Sequence, residues 1–138
     1  MNPVTVDIKD LLVEKSIGEW GTIKESVWGI FIGKEPDNPT NTITLYDTPG
    51  VVGKQFDNKR HFFHSAFQIR VRSIDYLDSY AKAQACIEAL DRYGKFQVEP
   101  NTSYDNIIME DEPLALPEDS QGRTIFVTNG IAYRREIA

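Results

Sequence analysis

Residues 66–72 alternate without a break, Phe67, Ile69 and Val71 on one side and Gln68, Arg70 and Arg72 on the other, and residues 75–93 then run without glycine or proline. A period of two sends neighbouring side chains to opposite faces, so the first segment must sit in a sheet covered on one face. In the second, Tyr76, Tyr80, Ala83, Ile87 and Leu90 recur at spacings of three and four, with Leu77 widening the stripe and Gly94 supplying a stop. That pattern predicts a long helix packed on the sheet. A crossover of this length allows a following strand at 104–109 to pair parallel with 66–72, right-handed if it does.

The remaining elements are read around this unit. Residues 4–15 set Val4, Ile8, Leu11 and Leu12 on one helical stripe, with Thr5 able to cap and Asp7 close to the favourable N-terminal end. Gly18 and Gly21 place a loop around Trp20, before the buried strand pattern of 27–32. Two prolines in residues 35–41 leave too few donors for a regular element, so that stretch is a connection. Residues 42–46 alternate, with Ile43 and Leu45 inward, and Pro49 and Gly50 are expected to end the strand. Loops, expected to be mobile, fall near 53–62 and 113–122. Strand material at 124–127 and 131–137 flanks Asn129 and Gly130, which signal either a hairpin or a kink in one long strand. The fold class is α+β in layers: one domain over residues 1–138, with a mixed sheet of about four to six strands packed by a short N-terminal helix and one long helix.

Composition narrows the function classes. Hydrophobic residues at 41% and charged residues at 26% suit a packed domain and not a disordered chain. A net charge of -6 argues against phosphate-driven nucleic-acid binding. The single Cys86 allows no internal disulfide and suits a reducing compartment. Acidic residues interrupt residues 1–20 and no stretch is apolar enough for a membrane span, so the expectation is a soluble protein made inside the cell.

The chemical motifs are incomplete. Asp47-Thr48-Pro49-Gly50 looks like a GTPase DxxG, but Gly50 to Lys54 has GxxGK spacing followed by Gln55, without the hydroxyl that meets magnesium in a phosphate loop. His61 and His64 form HxxH without the glutamate or the further ligands of a zinc site, so no metal or other cofactor is expected. Glu110, Asp111, Glu112, Glu118 and Asp119 lack calcium-loop spacing and read as a solvated acidic edge. Cys86 lies in the helix as a small hydrophobe. A metal-assisted hydrolase or nuclease using Asp47, His61 or His64 is the rival from another class, and a monomeric adaptor is a third reading.

The order of these pieces resembles the phage tail terminator and minor capsid protein family of head-tail joining proteins. The resemblance rests on Trp28-Gly29-Ile30-Phe31-Ile32-Gly33, Glu35-Pro36-Asp37-Asn38-Pro39, Ile43-Thr44-Leu45-Tyr46-Asp47-Thr48-Pro49-Gly50 and Phe67-Gln68-Ile69-Arg70-Val71-Arg72, followed by the long helix. It implies a mixed sheet with two helices, a continuous last strand, a ring of six copies at the end of the tail tube, and no catalytic chemistry. The implied partners are the chain itself, the tail tube protein and a head-completion or connector protein, with DNA passing through unbound and no membrane. The implied location is the neck of a virion, with synthesis in the host cytoplasm. A closed ring joins two different surfaces of one chain. Gln68, Arg70, Arg72, Arg134 and Arg135 against Glu110, Asp111 and Glu112 are the candidate oligomer contacts. Lys54, Gln55, Phe56, Asp57, Asn58, Lys59, Arg60 and His61 form a candidate loop for docking to tube or head.

Overall fold

The computed structural model describes residues 1–54 and 61–137. Two helices, α1 (Val4–Glu14) and α2 (Tyr76–Leu90), lie on one face of an eight-stranded mixed sheet. Its strands are β1 (Glu19–Trp20), β2 (Gly29–Ile32), β3 (Thr42–Lys54), β4 (His61–Ser73), β5 (Phe96–Val98), β6 (Thr102–Met109), β7 (Leu114–Leu116) and β8 (Thr124–Glu136). The order is β1-β2-β3-β4-β8-β6-β5, with β7 also on β8. The strands β1, β2 and β3 are mutually parallel and the other pairings antiparallel. The sheet is larger than expected because β1, β5 and β7 have only two or three residues each, too few to show alternation.

The central strands follow the pattern that predicted them. Phe67, Ile69 and Val71 of β4 and Ile43 and Leu45 of β3 are fully buried, against Ile8 and Leu12 of α1 and Ala83, Cys86 and Leu90 of α2 in one core. Each fully buried aliphatic or aromatic side chain contributes about 1.5–3 kcal/mol. The long helix does not connect neighbours, however. β6 pairs with β8, and β8 lies between it and β4, so the crossover steps over one strand.

Several boundaries differ for identifiable reasons. β3 does not stop at Pro49 and Gly50 but bulges between Thr48 and Val51 and runs on to Lys54, paired with His61. Because β2 ends opposite Leu45, Pro49 falls on an open strand edge, where its missing N–H breaks no ladder. Thus the ends of the expected 53–62 loop are paired strand, and only 55–60 lie outside the described residues. The 113–122 loop contributes β7 to the sheet.

The competing readings of Asn129-Gly130 resolve to one strand, since β8 passes through both while paired with β4 and β6. Gly130 is explained by packing, because an added Cβ would stand 2.5 Å from the Phe67 ring and 2.8 Å from the Met109 sulfur. Nor does Gly94 end α2. Asp91 is extended, its carboxylate accepts from Met109 N at 2.9 Å, and Arg92 takes a φ of 56° while donating to the Ile107 carbonyl. At the other end Asp75 accepts from Asp78 N as the cap. Thr5 does not cap α1; its hydroxyl donates to Asp47 at 3.0 Å.

Candidate functional site

Arg70 and Arg72, candidate oligomer contacts by sequence, lie on the face of the sheet away from the helices. The connection between β2 and β3 folds over it. Arg72 is 2% exposed. Its Nε donates to the Thr40 carbonyl, its Nη1 to Glu35 at 3.2 Å, and its Nη2 to the Pro36 and Pro39 carbonyls at 2.7 and 2.8 Å. Burial and the neighbouring Arg123 pull the guanidinium below its ordinary value, and Glu35 pulls it back up. Arg70 donates to the second Glu35 oxygen at 2.7 Å. Arg123, also buried, donates to the Asp37 carbonyl and pairs with Asp119. A proline-rich segment that cannot bond to itself is therefore held by three arginines, Arg70, Arg72 and Arg123, and Thr42 and Thr44 beneath it are buried too.

The other predicted basic residues also have acidic neighbours within the chain. Arg134 is buried, donating to Asn2 O and Ser65 Oγ, with Nη1 3.8 Å from the Asp7 carboxylate. Asp7 accepts from Tyr104, and burial followed by that hydrogen bond pushes the phenol well above its usual range. Arg135 stands 3.9 Å from Asp105. The acidic run is exposed, and no ion pair among the described residues involves Glu110, Asp111 or Glu112. Within it, Asp111 accepts from Asn129, whose amide oxygen accepts from Gln68 at 3.3 Å. The structure thus brings Gln68 and Asp111 together in one chain while Arg70, Arg72 and Arg134 bond elsewhere within it. Of the candidate docking loop, the backbones of Lys54 and His61 are paired, and 55–60 lie outside the described residues.

The catalytic rival is not supported by the geometry. Asp47 stands opposite Phe67 on the helix-covered face, whereas His64 stands opposite Tyr133 on the other face, its ring 4.6 Å from that tyrosine's. Cys86 is fully buried, and burial pushes its thiol up to about 12. Native protein should therefore leave Cys86 unlabelled by a thiol-specific chromogenic disulfide at pH 8, with one equivalent appearing on unfolding; labelling of the native chain at the unfolded rate would refute its burial. The sign of the linkage is clear. This contribution to stability is intact below about 9, the thiol's ordinary value, and declines as pH rises from there toward 12.

What the sequence pattern missed are exposed apolar groups. Tyr76 and Tyr80 belong to the apolar stripe of α2 by spacing, but they flank the helix, packing edge-on against Phe126 while remaining 57% and 40% exposed, and Leu77 beside them is 72% exposed. Leu114 on β7 is 63% exposed. At the β1 edge of the sheet, Ile23 is exposed, and Trp20 is exposed in an open cleft of about 560 Å³ between α1 and β1, lined also by Val13, Ile17, Trp28 and Lys82. Lys82 reaches the Ile17 carbonyl at 3.0 Å and lies over the Trp28 ring. The signal available in sequence was weak: one helix turn with three large apolar groups in five residues carries more apolar surface than one buried stripe holds.

Residues 11–132 match the profile of a family described as "Bacteriophage tail terminator protein". Among solved structures, a chain of the "Virion of native gene transfer agent (GTA) particle" shares the fold with a TM-score of 0.64 at 12% identity, over 96% of this chain and 95% of that one. No curated protein matches. With the family profile spanning nearly the whole sheet and both the loop clamp and α2, this chain belongs to the bacteriophage tail terminator family and is a structural phage protein.

Proposed function

We propose that the chain assembles with itself into a closed ring of six copies that ends growth of the tail tube at its head-proximal end and joins the tail to the head. The family match over residues 11–132 carries this reading. Its mechanism is binding: the ring occupies the last tube surface and presents a different surface, one that does not propagate the stack, to a head-completion or connector protein. The protein would be made in the host cytoplasm and remain at the neck of the virion.

The segment from Lys54 to His61, whose ends close the β3–β4 pairing, is the element we assign to tube or head docking. Val51 and Val52 on its β3 side are 63% and 60% exposed on a strand edge that no strand among the described residues covers, which supports a partner there. The net charge of -6 favours a ring that lets DNA pass without holding it. Sedimentation of the purified chain, alone and with tube protein, tests the ring. A species near six times the 15.7 kDa chain is expected in at least the second case. A 15.7 kDa particle in both, across a wide concentration range, would rule it out.

A further inference from the structure

We propose that the flank of α2 and the segment from Glu110 to Leu116 beside it form a groove for a basic amphipathic helix of another protein. This names one joining surface and its partner's chemistry and so deepens the reading above, but its test does not require a ring.

Contacts along the whole helix fix the two walls. At one end Tyr76 and Tyr80 pack on Phe126, whose neighbour on β7 is Ala115, and at the other Asp91 accepts from Met109 N. Residues 109–116 therefore run alongside α2, a helix about 22 Å long. The helix surface on that side is apolar and open. Leu77 and Ala81 stand one turn apart on it, both exposed, with Tyr76 and Tyr80 bordering them toward the sheet. Gln84 and Glu88 continue the stripe that Leu77 begins.

Charge gives the partner's sign. Residues 109–122 hold five acidic side chains and no lysine or arginine, and of the five only Asp119 is in an ion pair among the described residues, with Arg123. Glu110, Asp111 and Glu112 are exposed, Asp111 accepting one hydrogen bond from Asn129, and Glu88 is exposed on the helix wall. Lys82, the one base within α2, lies on the opposite flank, bonded to the Ile17 carbonyl and over the Trp28 ring. Arg92 and Lys95 follow past the Asp91 end of the helix. A surface that fits this groove is therefore positive.

The strands argue for a helix as occupant and against a strand added to β7. Glu110 N donates to Asn129 O, so the Asn129 backbone faces the β6 and β7 side of β8, and alternation turns Val127 and Ile125 the same way. Leu114 and Leu116 stand opposite those two, which leaves positions 113, 115 and 117 facing outward, and two of the three are prolines without an N–H. Ala115 alone offers a donor. An incoming helix needs no ladder, because its backbone bonds are internal. It can lay apolar side chains on Leu77, Ala81 and the two tyrosines while its lysines or arginines reach the acids. Among the described residues this chain has no such helix to offer, since the apolar stripe of α1 is buried in its own core and α2 is the wall itself. The occupant is thus a different protein.

The probe is a fluorescently labelled synthetic helix of leucine and lysine, with a helix of leucine and glutamate in the same pattern for comparison, each titrated with the full chain and followed by anisotropy. The lysine helix should bind and the glutamate helix should not. Leu77→Asn should weaken binding at least about tenfold, as loss of an apolar anchor does. Glu88→Lys with Glu112→Lys should do the same. Glu14→Lys with Glu19→Lys makes an equal change in net charge near β1 and should leave the affinity within about twofold, since charges more than a Debye length away are screened. All five altered side chains are exposed, so the fold is kept. Equal weakening by the two charge reversals, no effect of Leu77→Asn, or equal binding of the glutamate helix would overturn the groove. If Leu77→Asn abolishes self-association of the chain and spares peptide binding, the flank belongs to a second copy and the proposal fails. A chain that stays monomeric with tube protein present overturns the ring and leaves the peptide result standing.

Discussion

Arg72→Ala is expected to lower the free energy of unfolding by about 3–5 kcal/mol, the cost of removing one partner from a buried ion pair. The guanidinium is 2% exposed and bridges Glu35 to four carbonyls of the Pro36–Thr40 stretch, of which its removal leaves those of Pro36, Pro39 and Thr40 without donors. Nothing else in that stretch can replace them, since two of its residues are prolines and its backbone makes no ladder of its own. The loss should appear as a lower urea midpoint at an unchanged slope. Arg70→Ala is the control. Arg70 holds the same carboxylate from a side chain that is 31% exposed, where solvent screens the pair, so about 1 kcal/mol or less is expected. Equal losses for the two substitutions would show that the clamp is ordinary surface pairing.

The next largest effect is expected at Gly50→Ala, about 3 kcal/mol. A Cβ there would stand 3.0 Å from Ala66 N and still closer to the His64 carbonyl oxygen. Both are backbone atoms of the paired strand, so no side-chain rotation relieves the clash, and β3 and β4 must part at the bulge, at the upper end of what overpacking costs. Hydrogen exchange should quicken at residues 62–66 while 67–72 stay protected. Gly94→Ala has open space around it and should change stability by less than about 0.5 kcal/mol. A Gly50 variant as stable as that control would mean the strands do not approach as closely as described.

How far the sequence could be read depended on element length and on what covers each face. Phe67, Ile69 and Val71 alternate through a long strand with helices on one side, so their burial followed directly from periodicity. Arg70 and Arg72 share that alternation, but their surroundings are set by a connection more than thirty residues upstream, a contact that local spacing does not encode. Gly130 has the sequence of a turn and the structure of a strand because Phe67, 63 residues away, occupies the space where a side chain would stand. Charge arithmetic leaves out partners within the chain for the same reason. Arg134 and Arg135 were free to meet an acidic neighbour on paper, whereas Asp7 and Asp105 already face them in the fold. Family order was legible, since the Glu35–Pro39 segment joins β2 to β3 and the Asp47–Gly50 segment lies within β3, in a run of strands whose sequence order is their order in space, β2-β3-β4. The exposed flank of α2 was not, because an apolar stripe reads alike whether a core or a partner covers it.

The central claim is that this chain caps a tube by forming a ring on its end. Electron micrographs of purified tail tubes incubated with the protein, and then supplied with further tube protein, test it directly. The account predicts a ring seated on one end of each tube and no lengthening from that end. Tubes that elongate from both ends at the rate seen without the protein, with bare ends throughout, would contradict it.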